Sequence, residues 1–232
     1  MKQIFKFFLL IPVLFALLMC VINILVLKYI VFFLENSEFN SFIKQFVYNI
    51  IIILSDCVLY FFMYRFICYK CSSSSRIWYS IKQEWVEKIE LCKKIKEDKL
   101  LLILIVFLLI ILQVTWFYLS DYIYRKLGIS PKRNTLQDFS YLFIPIFEEF
   151  IFRKLFFDYC DKNPTKHIFV LNVMIFAFAH LMPMPTHYFL GIILTYCYIK
   201  YKSILLNTSL HVLYNFLGLF LPPLLNYIKE FI

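Results

Sequence analysis

The sequence contains very little glycine and few charged side chains. Only 3 of its 232 residues are glycine, 17% are charged, and 62% are hydrophobic. A soluble domain of this length is not that apolar, so a water-soluble globular fold is excluded. Repeated apolar runs of about 17–22 residues, the length that crosses a ~30 Å hydrocarbon core, predict several transmembrane helices instead.

The sequence also lacks several patterns that define common hydrolases and secreted folds. Its seven cysteines are scattered, which argues against the disulfide framework of a small secreted protein and predicts reduced thiols. No His-Glu-x-x-His motif occurs, so an ordinary zinc protease helix is excluded. Among the charged and histidine residues of the apolar runs, no plausible serine or cysteine nucleophile stands beside a base, although Cys160 lies just past the end of one run.

The net charge of +9 does not indicate nucleic-acid binding. The basic residues concentrate in the short loops between apolar runs, where membrane topology and anionic lipid explain them. With a cytoplasmic N-terminus, fifteen basic residues fall on the inner side and seven on the outer side. The positive-inside rule therefore favours a cytoplasmic N-terminus, and membrane lipid is the expected partner.

The apolar pattern predicts an all-α fold, a polytopic transmembrane helix bundle of about seven spans. The predicted spans cover residues 7–27, 46–63, 100–119, 139–157, a run that ends near 182, 186–201 and 204–221. The first run is too long for a signal peptide, and no small-x-small cleavage site follows it. Pro222 and Pro223 are expected to end the last helix.

Between the second and third spans the hydrophobic pattern changes. Trp78, Ile81, Trp85 and Ile89 recur at helical spacing, with charged residues elsewhere on the helical wheel. The pattern predicts one interfacial amphipathic helix on the membrane surface, and a solvated connector helix is the alternative.

The fourth predicted span contains two adjacent glutamates and an arginine within a run that is otherwise mostly apolar. An ionisable group near the bilayer centre costs roughly 2.5–3.5 kcal/mol on insertion scales, so it is rarely present without a function. Glu149 and Arg153 are four residues apart and share one helix face, whereas Glu148 points about 100° away. We therefore expect Glu149 to pair with Arg153 and Glu148 to face other partners.

Two further spans carry polar stripes that lipid would reject. Asn172, Phe176 and His180 repeat every four residues in the fifth span. The seventh span carries a second stripe, made by Asn207, Thr208, His211 and Asn215. These faces are expected to meet the charged fourth span around a shared, hydrated cavity.

This set of side chains suits the hydrolysis of a carbonyl compound. A carboxylate with a neutral histidine deprotonates water, or binds a metal that does so. An amide or an imidazole stabilises the oxyanion that develops.

The ordered motifs resemble a known family of membrane enzymes. Glu148-Glu149-x-x-x-Arg153, Phe176-x-x-x-His180 and His211-x-x-x-Asn215 stand in that order on separate spans. This order resembles the CAAX-protease and bacteriocin-processing (abortive-infection-type) intramembrane endopeptidases, over about residues 139–220. The resemblance implies an all-helical bundle whose cavity hydrolyses peptide bonds.

The resemblance also implies roles for the motif residues. Glu148 would activate water with assistance from His180, while His211 and Asn215 would line the site and Asn215 would donate to the oxyanion. Glu149 and Arg153 would support them, with Phe176 beside His180. The need for a divalent metal such as zinc stays open; its candidate ligands are Glu148, His180 and His211.

The resemblance divides the chain and suggests its partners. Residues 1–99 would form an N-terminal transmembrane hairpin with the amphipathic connector, and residues 100–232 the catalytic transmembrane core. Prenylated CAAX tails and leader peptides both fit as substrates. The Phe-, Ile-, Lys- and Asn-rich composition favours a bacterial plasma membrane.

Three other interpretations are open on the sequence alone. Buried acids and histidines also serve proton-coupled transporters, although no inverted repeat is visible. A non-catalytic immunity protein would bind a peptide in the same cavity. A polar network that only locks helix packing is the third.

Two positions carry specific uncertainties. His180 lies about two residues from the end of its predicted span, roughly 9 Å from the middle at 1.5 Å per residue. A longer or tilted helix would remove that offset; otherwise His180 sits at the rim of the cavity. Asp56, in the second span, is either functional or bonded to a neighbour such as Arg65.

Overall fold

The computed structural model describes residues 4, 6–70, 88–126, 140–162, 167–180 and 184–231. These segments contain helices and short connections and no β-strand. The helices, in chain order, are α1 (Ile11–Glu35), α2 (Ser41–Lys70), α3 (Lys88–Glu97), α4 (Lys99–Lys126), α5 (Ile144–Glu149), α6 (Phe156–Lys162), α7 (Ile168–Ala179), α8 (Pro185–Tyr201) and α9 (Ile204–Phe231). A π-helical turn, Lys6–Leu10, precedes α1, and a π-helical segment, Phe150–Leu155, joins α5 to α6.

The predicted all-α membrane fold is confirmed. Each of the seven predicted spans corresponds to helix in the structure, and the fourth combines α5, the π segment and α6. By length and composition, three described stretches are each long and apolar enough to cross a membrane: Ser41–Tyr69, Lys99–Ile123 and Ile204–Leu225. Most of the predicted amphipathic helix lies outside the described residues, which resume at Lys88 in α3.

The expected end of the last helix is wrong. Helix α9 continues through Pro222 and Pro223 to Phe231. A proline removes one backbone donor, but its fixed φ is compatible with a helix. In a membrane bundle, neighbouring groups compensate the carbonyls that a proline leaves free, so two prolines need not end the helix.

The π segment lies at the centre of the bundle. Phe150, Ile151, Phe152, Arg153 and Leu155 are all buried there. Only Lys154 of this segment is partly exposed, so the segment belongs to the interior of the bundle. Helices α7 and α8 pack against each other, and α9 packs against α4, α5 and α8, so the motif-bearing helices surround this segment.

An ion pair and a hydrogen bond join Asp98, the residue before α4, to the end of α8. The Lys200 Nζ atom lies 2.9 Å from Asp98 Oδ1, and the Tyr201 hydroxyl donates to Asp98 Oδ2 at 3.2 Å. The hydrogen bond from Lys200 holds the pKa of the Asp98 carboxyl below its ordinary value.

Candidate active site

The Glu149 carboxylate is held by partners on two elements. It is fully buried, and its Oε2 atom lies 3.4 Å from Arg153 Nε. From α9, Asn207 Nδ2 donates to Oε2 at 3.1 Å, and His211 Nδ1 lies 2.9 Å from Oε1. A buried carboxylate requires such partners to remain ionised.

The Glu148 carboxylate faces a different set of groups. His180 Nε2 lies 3.8 Å from its Oε1 atom, and His211 Nε2 lies 3.6 Å from its Oε2 atom. The Tyr60 hydroxyl on α2 donates to Oε1 at 3.0 Å. The two adjacent glutamates therefore have different environments, and both histidines point towards Glu148.

The hydrogen bonds of the histidines determine which ring nitrogen is free. His180 Nδ1 lies 2.7 Å from the Phe176 carbonyl oxygen, which accepts only, so this nitrogen carries the proton. His211 Nδ1 donates in the same way to the Glu149 carboxylate. In their neutral forms, both rings then present the lone pair of Nε2 towards Glu148.

Aromatic contacts fix the positions of these rings. The Phe176 ring lies edge-on to His180 and His211, with centroid distances of 4.7 and 5.8 Å. Its face lies 4.6 Å from the guanidinium carbon of Arg153. His187, which the sequence analysis did not select, stacks on His180 at 4.4 Å. Phe176 therefore organises three motif residues at once.

His180 occupies the rim of the site. It directly follows the last residue of α7, Ala179, and its side chain is 21% exposed. The helix of the fifth predicted span, α7, is therefore not longer than predicted. The His180 imidazole reaches Glu148 from the end of this helix.

A partly open cavity lies beside Glu148, and its empty space of about 350 Å³ includes open space outside the enclosed part. Its lining residues are Pro12, Phe15, Leu59, Tyr60, Met63, Glu148, Phe152, Ala179 and His180. Most of this wall is apolar, and more than half of its residues come from α1 and α2. The first 70 residues therefore help to form the cavity.

Asn215 is the motif residue placed apart from this cluster. Its Nδ2 atom donates to the Tyr141 carbonyl oxygen at 2.7 Å, and it does not line the cavity. Asn172, from the fifth-span stripe, is fully buried and donates to the Phe152 carbonyl oxygen, while Thr195 donates to Asn172 Oδ1 at 2.8 Å. Asn172 thus supports the backbone of the π segment.

Sequence reasoning missed the contact of Tyr60 with Glu148 and the bond of Asn207 to Glu149. The sequence holds a weak signal for Tyr60, because the acid Asp56 lies one helical turn before it in the same predicted span. It places Asn207 in the polar stripe of the seventh span but assigns it no partner. Both contacts join distant parts of the chain, so no local pattern indicates them.

The described residues do not form a metal site by their geometry. Among them, no three His, Cys, Asp or Glu side chains are arranged to hold a metal ion. Glu148 Oε1 already accepts the Tyr60 hydroxyl, and the two histidines approach different oxygens of Glu148.

Comparison with known proteins confirms the resemblance over one part of the chain. Residues 138–217 match the family model described as Type II CAAX prenyl endopeptidase Rce1-like. The chain is also 33% identical over 76 residues to the UPF0177 protein YvdC of Lactococcus lactis subsp. lactis (strain IL1403). That match spans 31% of this chain and 29% of the relative. No solved structure matches the chain.

The matched segment contains every residue of the three motifs. The apolar helices indicate an integral membrane protein, and residues 138–217 are similar to the CAAX-type prenyl endopeptidases. Tyr60 and the α1 and α2 walls of the cavity lie outside the matched segment.

Proposed function

We propose that the protein is an intramembrane endopeptidase in which Glu148 activates the attacking water. The observation that carries this proposal is the convergence of two imidazole lone pairs on one carboxylate at a cavity. His180 Nε2 and His211 Nε2 lie 3.8 and 3.6 Å from the two oxygens of Glu148. A water between these groups would meet proton acceptors on several sides.

The reaction would proceed by general base catalysis. Glu148 takes a proton from water, and the water oxygen attacks the carbonyl carbon of the scissile peptide bond. When the tetrahedral intermediate collapses, the C–N bond breaks and the leaving amine takes the proton from Glu148. His180 assists by accepting a hydrogen bond from the same water through Nε2.

Glu149 would act on His211 rather than on the substrate. Its bond to Nδ1 keeps the Nε2 atom of His211 as an acceptor and fixes the direction of the ring. Arg153 and Asn207 hold Glu149 in place. The carboxylate pair thus divides into a base at the cavity and a buried group that orients the histidine.

The apolar cavity wall supports a membrane-associated peptide as substrate. Pro12, Phe15, Leu59 and Met63 border the space next to the base. An apolar residue or a lipid-modified side chain beside the scissile bond would bury its surface there. Prenylated CAAX tails and leader-bearing peptides both meet this requirement, and the bacterial plasma membrane is the proposed location.

Substitution of Glu148 tests the proposal. Glu148→Gln keeps the size of the side chain and removes the base, so cleavage should fall by about 10²–10⁴-fold. The measurement compares the membrane peptidomes of cells that express wild type or Glu148→Gln, and identifies the peptides whose production depends on Glu148. Glu97→Gln, at an exposed carboxylate on α3, is the matched control. Identical peptidomes for wild type and Glu148→Gln would disprove the proposed function.

A further inference from the structure

Tyr60 has a position that the three motifs do not explain. It lies on α2, 88 residues before Glu148, and its hydroxyl donates to Glu148 Oε1 at 3.0 Å. Its ring stacks on Phe147 with a centroid distance of 6.0 Å and an interplanar angle of 29°. The phenol is therefore held against the candidate base from a helix outside the family match.

The donors around the cavity are few. Of the nine residues that line it, six are apolar, Glu148 is an acceptor, and His180 uses its protonated nitrogen on the Phe176 carbonyl. Tyr60 is thus the lining side chain that offers a neutral O–H beside the base. A tetrahedral intermediate formed here needs such a donor for its oxyanion.

The other candidate donors are directed elsewhere. Asn215 Nδ2 donates to the Tyr141 carbonyl oxygen, and His211 Nδ1 lies against Glu149. In a neutral His211 ring, Nε2 is then an acceptor and offers no proton to an oxyanion. Among the residues that line the cavity, Tyr60 is therefore the side chain that can donate a hydrogen bond to an oxyanion.

We propose that Tyr60 is a catalytic residue whose hydroxyl donates a hydrogen bond to the oxyanion. This proposal rests on the proposed function. Before reaction, the O–H binds the ionised Glu148. When Glu148 takes the proton of the attacking water, it loses its charge and becomes a weaker acceptor. At that moment negative charge develops on the substrate carbonyl oxygen, and the Tyr60 O–H transfers its hydrogen bond to that oxygen.

The step is balanced without a further reactant. The water oxygen bonds to the carbonyl carbon, the π electron pair moves to the carbonyl oxygen, and the water proton resides on Glu148. Tyr60 keeps its own proton throughout. Collapse restores the C=O bond, breaks the C–N bond and transfers the proton from Glu148 to the amine, and Tyr60 returns to the Glu148 carboxylate.

The test removes only the hydroxyl. Tyr60→Phe is compared with Tyr64→Phe, which carries the same change one turn further along α2. The Tyr64 ring is buried edge-on against Phe150 at 5.3 Å, away from the cavity lining. Cells that express wild type, Glu148→Gln, Tyr60→Phe or Tyr64→Phe are analysed by quantitative membrane peptidomics. The purified proteins are then assayed on a synthetic peptide that spans an identified cleavage site.

We expect Tyr60→Phe to lower kcat by about 10²–10³-fold, the usual effect of removing one oxyanion donor. KM should change by less than about threefold, because the hydrogen bond forms only as the oxyanion develops. Tyr64→Phe should cleave like wild type. The thermal midpoint of each purified protein checks that the variants are folded.

The outcomes separate the two proposals. If no peptide depends on Glu148, the proposed function fails and the role of Tyr60 fails with it. If peptides depend on Glu148 but Tyr60→Phe produces them at the wild-type rate, only the role of Tyr60 is overturned. An increase in KM at unchanged kcat would also overturn it, since that pattern indicates substrate binding without a catalytic contact.

Discussion

At the scale of single residues, two adjacent glutamates have acquired different environments. Glu149 is fully buried among Arg153, Asn207 and His211, whereas Glu148 borders the cavity with Tyr60 and His180. The same functional group is therefore proposed to act as an orienting anion in one position and as a base in the next. The difference comes from the neighbours, because the two side chains are chemically identical.

Replacing Glu149 tests its proposed orienting role. In Glu149→Gln the amide can donate as well as accept, so the bond to His211 no longer fixes Nδ1–H and the ring can adopt the other tautomer. We expect kcat to fall by up to about 10⁴-fold, as when the carboxylate that orients a catalytic histidine becomes an amide. Cleavage of the identified peptide by the purified protein measures the effect.

Nitrogen NMR of labelled His211 provides the control for this mechanism. The wild type should show the proton on Nδ1, and Glu149→Gln should show a changed tautomer population. Wild-type kcat in Glu149→Gln would exclude the orienting role.

At the scale of structural elements, the π segment decides which basic residue faces the interior. Arg153 is fully buried beside Glu149, while its neighbour Lys154 is 29% exposed and pairs with Asp158 at 2.7 Å. Widened π turns are frequent at functional sites. The ion pairs Glu149–Arg153 and Lys154–Asp158 both have i, i+4 spacing. A buried pair and a partly exposed pair of the same spacing can therefore be compared directly.

The two pairs should differ strongly in their contribution to stability. Arg153→Met leaves the Glu149 carboxylate buried without its cation, which should cost about 3–5 kcal/mol of unfolding free energy. Lys154→Met removes a partly exposed pair and should cost about 0–1 kcal/mol. Unfolding in mixed detergent micelles measures both. Equal destabilisation by the two substitutions would contradict the assigned difference.

At the scale of the whole molecule, the site is assembled from both ends of the chain. Helices α1 and α2 provide most of the cavity wall, and α5, α7 and α9 bring the charged and imidazole groups. The predicted division at residue 99 separates an N-terminal part from a C-terminal part of the sequence. Residues from both parts line the cavity. Changes in the first 70 residues are expected to affect substrate choice.

The positive-inside rule predicts the orientation of the bundle, and the prediction is testable. With a cytoplasmic N-terminus, Glu38 lies on the outer side and Glu97 on the inner side. Both residues are exposed in the structure. In a cysteine-free background, a membrane-impermeant maleimide should label Glu38→Cys in intact cells and Glu97→Cys only after permeabilisation. The reverse labelling pattern would show that the N-terminus faces outward.

The amino-acid sequence alone predicts the all-α membrane class, the approximate helices and the three polar faces. It could do so because hydrophobic length and helical spacing are local properties, and because a charge in an apolar run indicates buried partners. It also predicted that Glu149 would share a face with Arg153, since that relation depends only on spacing. The path of α9 through Pro222 and Pro223 was not predicted, because it depends on neighbouring groups in the bundle.

The groups that surround Glu148 depend on the packing of the helices and could not be predicted from the sequence. The contact with Tyr60 joins residues 88 positions apart, and the bond from His211 to Glu149 joins residues 62 positions apart. Helical periodicity places a side chain on a face, but the packing of whole helices decides what that face meets. The tautomers of His180 and His211 likewise depend on acceptors fixed by that packing, so the different environments of the two glutamates are a property of the folded bundle.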